Sequence, residues 1–345
     1  MEKTMTNTDL DVIARKMVAP GKGILAADES TGTIAKRLAS INVENTEDNR
    51  RDFRELLFST EGAGAYISGA ILYDETLRQS AADGTPFTKL MEAHGTLPGI
   101  KVDRSAHPLA GANDYPVTEG LDGLRGRCEE YVKLGARFTK WRAVIKIING
   151  HTPDIAIVAN AHTLARYAAT AQEAGLVPIV EPEVLMDGDH SVGVCQSVTE
   201  RTLACVFEQL YLHNVRLEGM VLKPNMVVAG NTCPQQPDVN EVADRTLEAL
   251  RRHVPSAVPG IAFLSGGQSE EAATAHLNAM NANGAPPWEL TFSYGRALQQ
   301  STLQAWKGTA NNIAVAQRTF LHRARMNSLA RTGTYTADLE RELAA

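Results

Sequence analysis

The chain has 345 residues, 43% of them apolar and 21% charged in mixed sign, with a net charge of −6; this supports a sizeable core and excludes wholesale disorder. An acidic chain without a Lys/Arg run predicts no nucleic-acid or anionic-membrane partner, and no apolar run reaches membrane-spanning length. The polar N-terminus "MEKTMTNTDLDVIARKM" lacks the apolar core of a signal peptide, and Cys128, Cys195, Cys205 and Cys233 form no C-x-x-C pair, which predicts a reduced, cytoplasmic setting without a zinc site or a disulfide frame.

Short apolar segments recur at intervals of about 30 to 45 residues, close to the size of a βα unit. The first is "KGILAAD" (22–28), which stops on Asp28, and the second is "YISGAILY" (66–73). The third, "GIKVD" (99–103), carries Lys101 and Asp103. The fourth, "RFTKWRAVI" (137–145), carries Lys140 and Arg142, two apart and so on one face of a strand. An Ala-rich helix pattern over 154–175 follows, stopped by Gly175. The fifth strand, "LVPIVEPEV" (176–184), ends with Glu181 and Glu183 on one face. The sixth, "LEGMVLKPN" (217–225), runs through Val221 and Leu222 into Lys223 and Pro224, and a proline cannot continue a central strand. A helix over 239–254 has its acids early and Arg251, Arg252 and His253 late, as the helix dipole prefers. The seventh strand, "IAFLSGG" (261–267), ends in Ser265-Gly266-Gly267 and precedes an acid-first helix over 269–284. The eighth, "WELTFSYG" (288–295), ends in Ser293-Tyr294-Gly295 before Arg296.

Eight strands alternating with helices predict a single (β/α)₈ TIM barrel over residues 1–345, with a C-terminal tail from about 330 to 345. The rival is a doubly wound open sheet. Its glycine fingerprint is missing: "GAGAYI" (62–67) lacks the third glycine and precedes a strand rather than following one.

Barrels gather their chemistry at the C-terminal ends of the strands. Each strand-end residue has a bland alternative. Asp28 could cap a helix, Lys140 and Arg142 could pair structurally with Glu181 or Glu183, Ser-Gly-Gly could be a turn, and Lys223 could point into solvent. Together they place lysines, arginines and carboxylates at one mouth. A lysine among apolar residues and near a second cation, here Lys223 beside Lys140, suits imine formation with a carbonyl. Glu181 could shuttle the protons, and Asp28 could take one from a hydroxyl. Gly-rich amides of the last two loops plus Arg296 suit one phosphate. Lys36, Arg37, Lys101 and Arg142 suit a second. A bisphosphorylated keto-sugar satisfies this pattern. The imine makes a Lewis acid redundant, and "DGDH" (187–190) has no second histidine at ligand spacing, so no metal or other cofactor is expected.

From about residue 10 to 335 the chain resembles the class I, Schiff-base-forming fructose-1,6-bisphosphate aldolases. The matching segments, in order, are "KGILAADESTGTIAKRL", "PGIKVD", "FTKWRAVIKI", "VPIVEPEVLMDGDH", "LEGMVLKPNM", "FLSGGQSEEAA" and "LTFSYGRALQ". The resemblance implies that Lys223 forms the imine, that Glu181 is the acid/base group with Glu183 beside it, and that Asp28 handles the C4 hydroxyl proton. It implies that Lys140 assists at the reacting carbon. Ser265, Gly266, Gly267, Ser293, Gly295 and Arg296 match the ketone-side phosphate site. Ser30, Arg37, Lys101 and Arg142 match contacts to the substrate or its other phosphate, and Thr33 stands where many relatives have serine. A homotetramer is implied as well. The alternatives are a lysine-imine barrel for a single-phosphate sugar, and a non-catalytic sugar-phosphate binder. Many members end in a tyrosine on a mobile tail that helps protonate the enamine. This chain ends "TYTADLERELAA", its last tyrosine being Tyr335. A passive tail, whose ten residues after Tyr335 suit a short surface helix, and enamine protonation by Glu181 are therefore expected.

Overall fold

The computed structural model describes residues 7–344. In chain order its strands are β1 (Gly23–Ala27), β2 (Ile67–Leu72), β3 (Leu97–Lys101), β4 (Ala106–Leu109), β5 (Ala112–Thr118), β6 (Phe138–Ile145), β7 (Val177–Val184), β8 (Val221–Leu222), β9 (Gly260–Phe263) and β10 (Glu289–Tyr294). Eight of them close a barrel in the order β1-β10-β9-β8-β7-β6-β3-β2, while β4 and β5 form a separate antiparallel hairpin. Every barrel pairing is parallel. The expected (β/α)₈ barrel is the fold observed.

The period of two along each strand explains where the polar groups sit. Ile24, Ala26, Ile71, Phe138, Val177, Ile179, Val221 and Ala262 pack together inside the barrel. Stepping two residues onward from Ala26, Phe138, Ile179 and Val221 reaches Asp28, Lys140, Glu181 and Lys223. The alternate residues Trp141, Val180 and Leu222 belong to the outer core beneath the helices. Glycines make room for rings on both faces of the barrel wall: a Cβ on Gly99 would lie 2.1 Å from the inner Phe138 ring, and one on Gly23 would lie 2.5 Å from Phe292 of the outer core.

The helix Asn7–Met17 closes the opposite end. Leu10, Ala14 and Met17, spaced along one helical face, join the inner cluster with Val18. Asp11 fastens this helix to the wall through two bonds from the Arg216 guanidinium, 2.8 and 2.6 Å. The barrel is thus plugged with apolar residues at its N-terminal end and polar at the other.

Three local features differ from the sequence reading. The β4–β5 hairpin is absent from the sequence reading; in it Pro108 and Pro116 face each other in a two-stranded ribbon with free edges, where proline is tolerated. The sixth strand is only Val221–Leu222, since Leu217–Gly219 forms a 3₁₀ turn. Asp103 lies beyond β3, which ends at Lys101. The predicted helices appear as Asp154–Glu173, Val239–His253 and Glu270–Ala282. Among the described residues no helix is long and apolar enough to cross a membrane.

The tail differs most from expectation. After the helix Ile313–Arg331, Tyr335 is buried in the core cluster, and a 3₁₀ segment Ala337–Ala344 follows. The Tyr335 hydroxyl donates to Glu340 at 2.9 Å, and its backbone N–H to Asn278 Oδ1 at 2.9 Å. Glu340 also accepts from Arg323 Nη1 at 2.6 and 2.5 Å and meets His322 Nε2 at 3.2 Å. This segment is docked rather than passive, and Tyr335 is turned to Glu340, away from the strand-end groups. Truncation after Gly333 is expected to lower unfolding free energy by about 3 kcal/mol, because it removes a buried aromatic and strands Arg323. Cleavage kcat measured well below the melting temperature is expected to stay within about threefold, under about 1 kcal/mol of barrier. Denaturant unfolding and steady-state assays check the two halves separately.

Candidate active site

The open end of the barrel holds a cavity of about 710 Å³. Every residue singled out from the sequence lines it: Asp28, Ser30, Thr33, Arg37, Lys101, Lys140, Arg142, Glu181, Glu183, Lys223, Ser265, Gly266, Gly267, Ser293, Gly295 and Arg296. Lys36 and Gln300 line it as well, as do Ser105 and Thr118 from the unforeseen hairpin region.

Lys223 is 3% exposed, so it does not point into solvent. Its backbone N–H bonds Val180 O at 2.8 Å, which extends the β7 ladder by one residue and aims the side chain inward. Lys223 Nζ lies 3.2 Å from Glu181 Oε1, and Lys140 Nζ lies 3.2 Å from Glu181 Oε2. One carboxylate therefore bridges two ammonium groups. Lys140 Nζ also lies 2.7 Å from Asp28 Oδ2. Asp28 is not a helix cap: the next helix, Thr31–Ala39, has Ser30 at its N-cap.

The charges nearly balance. Burial opposes the Asp28 charge, but Lys140, Lys223 and Lys101 outweigh it and hold the carboxyl down at about 2. Burial likewise opposes the Lys140 ammonium, and Asp28, Glu181 and Asp103 more than offset it, raising its pKa above the ordinary lysine value. Lys140 is thus not a bare second cation beside Lys223 but one neutralised by two carboxylates. The Asp28 shift has a consequence for stability. Its folded pKa lies below the unfolded one, so its contribution is fully present above about pH 4 and is lost as pH falls through about 2. Asp28→Asn is therefore expected to flatten acid unfolding below about pH 4, which denaturant titrations at several pH values would test.

The outer shell is paired differently. Arg142 Nε donates to Glu183, and Arg37 to Glu29. Burial opposes the Arg142 charge, while Glu183 raises its pKa. The structural ion-pair alternative for Arg142 is therefore realised in this geometry. Lys101 Nζ reaches Asp103 Oδ1 at 2.5 Å and Asp103 O at 2.9 Å, and Ser30 and Thr33 hydroxyls stand 3.2 Å apart. Arg296 is exposed and, among the described residues, has no carboxylate partner. Arg37 shifts from the sequence-based grouping: one of its guanidinium nitrogens is 3.6 Å from where a Gly295 Cβ would be. It stands against the Gly295–Arg296 loop rather than apart from it.

The Ser265–Gly267 turn needs its glycines, with φ of 47° at Gly266 and 80° at Gly267, in the left-handed region. A Cβ at Gly267 would sit 2.8 Å from Met186 Sδ and 3.2 Å from Arg296 Nη2. The Arg296 guanidinium therefore stands beside the Gly267 backbone. Sequence reasoning missed Glu29, which is buried and also meets Gln299 Nε2 at 3.1 Å; its adjacency to Asp28 in "AADES" was the available signal. His190 is buried, and among the described residues no cluster of three or more His, Cys, Asp or Glu side chains is placed to hold a metal ion.

A buried lysine bridged through one carboxylate to a second lysine, at the C-terminal mouth of a (β/α)₈ barrel, defines the class of lysine-centred barrel lyases. The family profile described as "Fructose-bisphosphate aldolase class-I" matches residues 9–345, and the chain belongs to that family. A relative from Xanthomonas campestris pv. campestris, "Probable fructose-bisphosphate aldolase class 1", is 56% identical over 332 residues, covering 96% of this chain and 99% of the relative. "Fructose-bisphosphate aldolase 5, cytosolic" of Arabidopsis thaliana is 57% identical over 334 residues, covering 96% and 93%. The fructose-bisphosphate aldolase of Plasmodium falciparum, solved in a ternary complex with TRAP and a small-molecule inhibitor, superposes with a TM-score of 0.95 at 50% identity, covering 97% of this chain and 98% of that one.

Proposed function

We propose that the chain is one catalytic unit that cleaves fructose 1,6-bisphosphate reversibly to dihydroxyacetone phosphate and glyceraldehyde 3-phosphate through an imine on Lys223. The observation that carries this reading is the Lys223–Glu181–Lys140 bridge in the cavity, flanked by the glycine loops and by Arg296, which among the described residues has no carboxylate partner. The Lys223 amine adds to the C2 carbonyl, and water leaves with protons passed through Glu181, giving a protonated imine. Asp28, ionised at neutral pH, takes the C4 hydroxyl proton. The C3–C4 bond breaks, its electron pair moves into the imine to form an enamine, and the aldehyde departs. Glu181 then returns a proton to C3, and water releases the ketone and the free lysine. Lys140 balances Asp28 and Glu181 as their charge changes, and Glu183 holds Arg142 at the rim.

Arg296, with Ser265–Gly267, Ser293 and Gly295, holds the ketone-side phosphate, and Arg37 borders it. Ser30, Thr33, Lys36 and Lys101 face the other end of the substrate, with Arg142. The identity of cytosolic relatives supports a cytoplasmic protein, and family membership supports a homotetramer. Purified protein tests the reaction directly: cleavage of the bisphosphate is expected to proceed undiminished after chelation. Activity that vanishes with chelator and returns with zinc would sink the imine reading, and binding without turnover would leave only a sugar-phosphate binder.

A further inference from the structure

The two loops assigned to the ketone-side phosphate are built on glycine, which restricts its own backbone less than other residues do. Their placement depends on the helices they enter. The Ser265–Gly267 loop leads through the N-cap Ser269 into the helix Glu270–Ala282, and Gly295 leads into the helix Arg296–Trp306. One side chain joins these two rods. Glu270 Oε1 accepts the backbone N–H of Ser301 at 3.1 Å and the Ser301 hydroxyl at 3.1 Å. Ser301 follows Gln300, which lines the cavity. Glu270 is itself anchored from behind: Arg323 Nη2 donates to the Glu270 carbonyl at 3.1 Å and to Thr274 Oγ1 at 2.7 Å.

We infer that Glu270 is a positioning residue for the ketone-side phosphate, a carboxylate strap that sets the spacing between the Ser265–Gly267 loop and the Gly295–Arg296 loop. The inference rests on the phosphate-site reading above. It touches neither the substrate nor the reacting atoms, so its effect falls on binding of the phosphate. Arg296 Nη2 lies 3.2 Å from where a Gly267 Cβ would be, so the two loops stand side by side; a small slide of one helix against the other changes how amides and guanidinium converge, and misplacement of this size is costly to binding groups. The strap has the form of a charge-assisted pair of hydrogen bonds, stronger than neutral ones.

Glu270→Ala is expected to weaken dihydroxyacetone phosphate binding, and raise KM for the bisphosphate, about tenfold. Its kcat is expected to hold within about twofold, since uniform binding is what is lost. Glu270→Gln keeps an acceptor oxygen and is expected to recover affinity to within about threefold of the parent. Calorimetric titration with dihydroxyacetone phosphate reads the first quantity and steady-state assays the second. A folded Glu270→Ala protein with parental affinity overturns the strap, as does an equal fall in kcat and kcat/KM with KM unchanged. Should Glu270→Ala fail to fold, Ser301→Ala decides: about threefold weaker binding supports the strap, and unchanged binding overturns it. Arg296→Ala run alongside separates the two readings. It is expected to weaken binding by tenfold or more, since an Arg–phosphate pair is bidentate. Parental affinity in Arg296→Ala overturns the phosphate-site assignment and the strap with it, whereas a loss there and none in Glu270→Ala overturns the strap alone.

Discussion

Lys223→Met is expected to lower cleavage by roughly 10⁴-fold or more, since covalent and acid/base contributions disappear together. Methionine nearly matches the lysine in length but has no amine to form the imine. The barrel should survive the change: Lys223 follows β8, its backbone N–H bonds Val180 O, and neither that bond nor the packing of Val221 and Leu222 uses the ammonium. Glu181 loses one of its two ammonium partners and keeps Lys140 at 3.2 Å. Treating the parent enzyme with dihydroxyacetone phosphate and borohydride should fix one label on the peptide containing Lys223, and the variant should take none. Label on Lys140 or Lys101 would overturn the assignment. A variant retaining a tenth of parental activity would show that an imine on Lys223 is not needed.

The pattern that made this site legible is the two-residue step of a barrel strand. In "FTKWRAVI" and "VPIVEPEV" the charged residues fall on alternate positions, and the apolar residue two places earlier marks the same face. The structure confirms that face, because Phe138 and Ile179 lie in the inner cluster directly below Lys140 and Glu181. Lys223 was legible only in company: a lone lysine at a strand end before a proline reads as solvent-facing, and it was the cations and carboxylates at the other strand ends that argued for the interior. The rest depended on contacts far apart in the chain. Glu270 and Ser301 are separated by 31 residues and Tyr335 docks through Asn278, 57 residues away, and neither spacing carries a periodic signal. The hairpin beside the mouth was hidden by its prolines, which read as breakers unless the strand is known to be an edge. Arg37 follows Lys36 in sequence, which grouped the two, yet adjacent residues on a helix diverge by about 100°, and Arg37 turns to Gly295.

Lys140→Met is the second large effect and differs in kind. The inner site sets three lysines, Lys101, Lys140 and Lys223, against three carboxylates, Asp28, Asp103 and Glu181. Removing Lys140 leaves two cations for three anions and takes away the ion pairs at 2.7 Å to Asp28 and 3.2 Å to Glu181. Burial opposes the Asp28 charge, with Lys140 the largest influence favouring it, so the Asp28 pKa must rise from about 2. A higher pKa means that the carboxylate protonates at higher pH, and the acid limb of kcat/KM moves upward. The rate at neutral pH is expected to fall by about 10²- to 10³-fold, the range for a displaced acid/base group, with a larger loss on the acid side. Borohydride should still label Lys223, which separates this defect from loss of the nucleophile. Lys140→Arg restores the charge but not the compact ammonium geometry; it is expected to return the acid limb toward its parental position while recovering only part of the rate. A pH–rate profile for Lys140→Met with parental shape and a loss under tenfold would show that Lys140 does not govern the protonation of Asp28.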